Sequence, residues 1–410
     1  MKLTNLKMRL ISGALCASML ICTALPAMAD DEFPETGVVY EEYTEPVMLN
    51  GEYNGIKSPR IKTDSAMQSG QVVSWDLVCF GTYPQREVEP GSYLYDQLNA
   101  AGGWSASNDL RFNGVTYRRM RKSDAVNPAP ASYSWSDAYS WHYFIYDPVL
   151  WRVMDVSGTE ALLISDDVLD DHIYSYSGNT WADSALRGML SDDFIPTAFD
   201  ANQQSALKYV NSDRVYILSD DELFTETYGF SNSSTVYDEA RRCQASTYAK
   251  ARGVQTDFGN TCRWWVSTPG YGADKVAVAD YSGTVNTDGV SGSSEYSIGV
   301  RPVIRLDLTK TNVYTKTGVT SSKGGGEGIE NSFADVRVDD WFFLDVQYVN
   351  SNGIMTGYNS YTFGSYDLMD RSMFATVIYR MQKADPVEYS NIPFPDVDWG
   401  LWYTDPIMWA

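Results

Sequence analysis

The chain has 410 residues, 53 of them acidic and 31 basic, for a formal net charge of −22. That balance excludes nucleic acid as a partner, because binding it needs a cationic face that releases counterions. Five cysteines and two histidines are too few and too scattered for a disulfide-built scaffold, a zinc site or a Ser-His-Asp triad.

The first nine residues hold Lys2, Lys7 and Arg9 and no acid, and residues 10–26 are apolar or small and lead into Ala27-Met28-Ala29. This is the pattern of a secretory signal peptide, residues 1–29, cut after Ala29. The apolar run is short for a membrane span, and no later stretch approaches eighteen apolar residues. The mature protein is therefore expected to be secreted, outside the membrane. Cys16 follows Leu15 and Cys22 follows Ile21, so neither fits a lipid anchor. Removing the signal leaves 28 basic residues against 53 acidic ones, and Cys79, Cys243 and Cys262 as the mature cysteines, with a Cys243–Cys262 bridge left open. The remaining chain of about 380 residues is enough for two or three domains.

Residues 30–70 are rich in Glu, Pro, Gly and Tyr without a sustained period and read as an extended leader. From 71 to 310 aromatic and β-branched residues dominate. VSWDLVCFGTYPQ (73–85) and PVLWRVMDVSGTEALLISDDVLD (148–170) alternate as strands do. Thr180 and Asp183 form the pattern of a capping box before a stripe of Ala182, Ala185, Leu186, Met189 and Leu190, and Ser219 with Glu222 forms another. CRWWVSTPG, VAVADYSGTVNTDG and SIGVRPVIRLDL close the region as three β segments joined by turns. The fold class is α+β, mostly antiparallel. Val300 is expected to be buried in an interior strand, and Arg301 to be held by a carboxylate or carbonyls, since Pro302 brings no amide donor.

The aromatic residues Trp264, Trp265, Tyr271 and Tyr281 form the candidate ligand face of this domain, with at least one of the two tryptophans in the core. Carboxylate pairs at Asp166/Asp167, Asp170/Asp171 and Asp220/Asp221 supply what a hydrolase would need, yet each lies at a strand end or helix start, where acids are expected structurally. DYSGTVNTDG (280–289) reads as a calcium loop or, more simply, as hairpin turns.

Residues 311–331 include TKTGVTSSKGGGEG and read as a linker; a flexible coil of some twenty residues separates its neighbours by roughly 25 Å. Beyond it, Asp339 to Asn350 places Trp341, Phe342, Val346 and Val349 on one helical face, with Asn352-Gly353 as the stop. Asp370 stands where an N-cap belongs, ahead of an apolar stripe of Met373, Phe374, Val377, Ile378 and Met381. The pattern starts again: FADVRVDDWFFLDVQYV from Phe333 aligns with FPDVDWGLWYTDPIMWA from Phe394, pairing Trp341 with Trp402 at a period of 61. Such a unit stacks on copies of itself.

FADV (333–336), Trp341, NGIMTG (352–357), TFGSYDL (362–368) and MDRSMFA (369–375) together resemble the S-layer homology module. The resemblance covers one repeat, 332–384, and part of a second, 385–410, so the all-α-dominated repeat region is incomplete and further repeats are expected after Ala410. It implies a bundle whose grooves hold pyruvylated secondary cell-wall polysaccharide, with Trp341, Gly357, Arg371 and Trp402 as binding residues. A guanidinium offers a planar fork to a ketal carboxylate. Asp370 replaces the usual Thr and Ser372-Met373 replace Ala-Glu.

FGTYPQ (80–85), PVLWRVM (148–154), TWADSALR (180–187), STYA (246–249), WWVSTPG (264–270) and IGVRPV (298–303) resemble a domain of unknown function, DUF6273, found in secreted and surface proteins of Gram-positive bacteria. The closing W-W and G-V-R pattern is similar to C-type-lectin-like and formylglycine-generating-enzyme-like folds; Ser267 stands where the family has Arg, and the cysteine pair that the enzymes need is not evident. The resemblances imply a non-catalytic, lectin-like module for an unknown glycan or protein ligand, displayed at the cell surface without cofactor or metal. A carboxylate-dependent wall hydrolase and a structural surface-layer component are the alternatives.

Overall fold

Long runs of β-branched and aromatic residues set the longest strands. The structure is a computed structural model describing residues 47–48, 51–126, 132–257, 260–293, 297–322, 333, 335–336, 346, 349–350, 353–359, 362–365, 367–385 and 388–410. The signal segment lies outside these residues. The strands that position the sites are β1 (Arg60–Thr63), β2 (Gln71–Glu87), β3 (His142–Ser157) and β4 (Glu160–Ser165), then β5 (Trp264–Pro269), β6 (Lys275–Ala279) and β7 (Val285–Ser291), and finally β8 (Gly299–Val300), β9 (Val303–Asp307) and β10 (Thr315–Ser321). The helices are α1 (Ala185–Met189), α2 (Thr247–Arg252), α3 (Arg371–Met381) and α4 (Thr404–Trp409).

The main sheet runs β1, β2, β3, β4, β9, every neighbouring pair antiparallel; a smaller sheet runs β8, β5, β6, β7, with a parallel β5/β8 contact. Successive side chains of a strand face opposite ways, and here both faces are covered. Val153 and Leu163 enter one core beside Trp151 and Phe194, while Met154, Leu162 and Ile164 enter another beside Trp75 and Trp264. Burial on both faces explains why the strands read as near-continuous apolar runs.

The short motifs are packing devices. β2 is irregular against β3 between Cys79 and Thr82 and again between Pro84 and Arg86. Gly81 sits in the first irregularity at φ +77°, where a Cβ would lie 2.6 Å from Phe199 Cε1 and 2.7 Å from the Ala198 carbonyl. Only glycine fits there. Trp151 Nε1 donates to the Phe80 carbonyl at 2.7 Å, joining PVLW to FG. In β8, Val300 is buried, and the fully buried Arg301 donates to the carbonyls of Ser165 at 2.9 Å and Asp166 at 3.4 Å, as its sequence context requires.

Two composition-based readings are corrected. Part of the leader and part of the linker belong to the main sheet: β1 pairs with the start of β2, and β10 pairs with residues 74–79 of β2. The reason is Asp76, buried at 1% exposure, whose carboxylate meets Arg60 at 2.8 Å from before and Lys316 at 2.9 Å from after. A buried carboxylate needs such partners, and composition does not reveal a pairing across 240 residues. Locally, Ser219 and Glu222 form the expected box, but Thr180 does not cap. Trp181–Asp183 is a 3-10 turn, and Ser184 accepts from the Arg187 amide to start α1.

Toward the C-terminus, Asp370 accepts from the Met373 amide at 2.7 Å and starts α3 as expected. Val346 and Val349 are buried, Gly353 adopts φ +66°, and Trp341 and Phe342 lie outside the described residues. Asp335 of FADV accepts from the amides of Phe363, Gly364 and Ser365, which folds residues 362–365 back over Phe333. These parts belong to the same compact unit as the main sheet.

Candidate functional site

The repeat builds a groove from its glycine loop and its capped helix. Gly357 takes φ +70°, and a Cβ on it would lie 2.7 Å from the Thr362 carbonyl and 2.8 Å from Phe333 Cε1, so the loop closes tightly only on glycine. The Tyr358 amide donates to the Thr362 carbonyl at 2.8 Å. Against this loop, α3 leaves a groove of about 460 Å³ lined by Gly357, Tyr358, Met373, Arg380, Trp402 and, from the main domain, Glu89. Trp402 is 52% exposed, an apolar platform beside a cation.

Of the four residues carried over by resemblance, the groove unites Gly357 and Trp402, and Trp341 lies outside the described residues. Arg371 does not line it: its side chain is 80% exposed and stands 3.8 Å from Asp396, the second repeat's counterpart of Asp335. Helical geometry explains its place. Nine residues at about 100° each put Arg371 and Arg380 on opposite sides of α3. Arg380 continues the line of Met373 and Val377 into the groove, and its Nη1 donates to the Ile354 carbonyl at 3.4 Å. The seven-residue step from Met373 is the sequence signal that identifies it. Of the rest of the expected stripe, Ile378 is half-buried, while Phe374 is 59% and Met381 43% exposed.

In the main domain the candidate aromatic face is dispersed. Trp264 and Trp265 are fully buried, one in each core, and donate to the carbonyls of Arg241 at 3.2 Å and His172 at 2.9 Å. Adjacent residues of a strand covered on both sides cannot form a ligand surface. Tyr271 is 90% exposed on a turn, and Tyr281 is half-buried, its carbonyl accepting from Thr261 Oγ1 at 3.0 Å.

The carboxylate pairs are also structural in their partners. Asp166 is buried with Oδ1 on Arg152, Asp170 holds Tyr83 and Arg252, and Asp220 accepts from Thr268 Oγ1. Asp171 is fully buried, with neither oxygen hydrogen-bonded by protein; burial pushes its pKa well up. Asp167 is half-buried, and its pKa is pushed up to about 7 by burial and by the Asp166 carboxylate. That value suits a general acid, but the usual two-carboxylate glycoside hydrolysis needs a second carboxylate across the bond, and Asp166 is sealed away on Arg152. Cys243 and Cys262 are free, buried thiols in this structure. Among the described residues no group of three or more His, Cys, Asp or Glu side chains is placed to hold a metal ion. In the 280–289 hairpin, Asp280 pairs with Arg263 and receives the Gly283 amide, as a turn residue does.

Comparison with known families adds one finding. Residues 158–308 match the family model described as Domain of unknown function (DUF6273). The DUF6273 segment takes in TWADSALR, STYA, WWVSTPG and IGVRPV; FGTYPQ and PVLWRVM precede it, yet they form β2 and β3 of the same sheet. No curated protein and no solved structure matches the chain.

Proposed function

We propose that this is a secreted cell-surface protein, held non-covalently to the Gram-positive cell wall by its S-layer-homology-like repeats, that displays a non-catalytic, lectin-like binding module. One observation carries the anchoring reading: a tight glycine loop and a capped helix frame a groove that presents a half-exposed tryptophan beside a single arginine. That pairing suits a saccharide bearing a carboxylate, the ring lying on Trp402 and the carboxylate on Arg380. Asp367 also lines the groove, but its charge is offset by Arg86 at 4.0 Å. The display reading has less support, since of the candidate aromatic face only Tyr271 is open. Among the described residues no helix is long and apolar enough to cross a membrane.

The test is titration of the protein with soluble pyruvylated wall polysaccharide, followed by tryptophan fluorescence. Arg380→Ala should weaken binding about tenfold to a hundredfold, the equivalent of roughly 1.5–3 kcal/mol for a charged hydrogen bond, and Trp402→Ala should weaken it as well. Arg371→Ala should leave it within about twofold, as expected of an exposed charge. Loss of binding in Arg371→Ala alone would restore the residue that the resemblance implies.

A further inference from the structure

Arg86, at the end of β2, reaches groups from two modules. Its Nε and Nη2 donate to the two carboxylate oxygens of Asp147, each at 3.3 Å, within the main sheet. The same guanidinium lies 4.0 Å from the centre of the Tyr358 ring and 4.0 Å from Asp367 Oδ2, both in the repeat. Tyr358 and Asp367 are themselves hydrogen-bonded, so they meet Arg86 as one unit. The side chain of Arg86 is only 18% exposed. Beside it a cleft of about 230 Å³ is walled by Gln85, Asp147 and Ser246 on one side and by Asn359 and Thr362 on the other. Three residues further on, Glu89 reaches the rim of the Trp402 groove.

We propose that Arg86 is a docking latch that holds the loop carrying Tyr358 and Asp367 against the main sheet, so that the groove is built jointly by both modules. The loop is then a partner surface of the FGTYPQR segment and not a free body on a tether. Arg86 keeps Asp147 whether the repeat is docked or not, and gains a ring and a second carboxylate on docking. A cation over an aromatic face contributes modestly, which makes the latch reversible. Because Glu89 lines the groove only when the repeat is docked, a groove ligand and the docked state are thermodynamically linked. The Arg86 contact is present without any groove ligand; its coupling to a wall polymer rests on the anchoring reading above.

Amide hydrogen exchange on the whole mature chain, without any wall polymer, tests the latch. Tyr358→Leu changes only the repeat, so its effect on peptides spanning 83–90 and 146–150 of the main domain is decisive: their exchange should speed up by about twofold to thirtyfold, the range of one cation–aromatic contact. Arg86→Ala should in turn speed exchange across 353–367. A Tyr358→Leu variant whose main-domain peptides exchange at the wild-type rate overturns the proposal, since the two modules would then not touch in solution. Failure of wall binding leaves this readout unmoved, because it is taken without any wall polymer.

Discussion

Asp167 has the main domain's clearest titration signature. Its carboxyl, with a pKa of about 7 in the fold, has an unfolded value near 3.9. Below about pH 4 both states keep the proton and the residue is neutral to stability. As pH rises the unfolded chain ionises first, so stability falls until about pH 7, where the folded carboxyl ionises too. Urea unfolding of Asp167→Asn should therefore show an advantage over wild type that is small at pH 4, grows to pH 7 and then levels off. An advantage that does not vary with pH contradicts the assignment. At this scale, what could be read from the sequence depended on range. Val300 and Arg301 were legible because the run Gly299-Val300-Arg301-Pro302 constrains a strand locally. Trp264 and Trp265 were not, since which face of a strand is covered is decided by elements far away in the chain.

Elements were legible where their signals are local. Asp370 caps α3, Ser219 and Glu222 box their helix, and the glycines of FGTYPQ and NGIMTG mark backbone that no other residue adopts cheaply. Thr180 misled because Ser184, four residues on, competes for the same role and leads directly into α1. β10 was missed because Gly, Ser and Thr in its sequence suggest a tether, whereas its strand character comes from Lys316 finding Asp76. The DUF6273 match stops at 308, but the sheet does not. A chain ending after Leu308 should melt several degrees below one ending after Ser322, at about 2–4 °C for each kcal/mol lost, because it loses the β10 ladder and the Lys316 partner of the buried Asp76. Equal melting temperatures would show β10 to be dispensable.

For the whole molecule, the mixed, largely antiparallel character was legible, whereas the docking of one module on the other was not: Arg86 and Tyr358 are 272 residues apart and nothing in either neighbourhood names its partner. On the proposed reading, a strongly acidic surface binds its partner through individual cations such as Arg380 and not through a broad field. The central claim is that the repeats bind wall polymer through its ketal carboxylate. The most direct measurement is cosedimentation of the mature protein with purified Gram-positive cell wall, before and after mild acid removal of pyruvate. The account predicts that the protein pellets with intact wall and stays in solution with stripped wall; equal pelleting with both, or with neither, contradicts it.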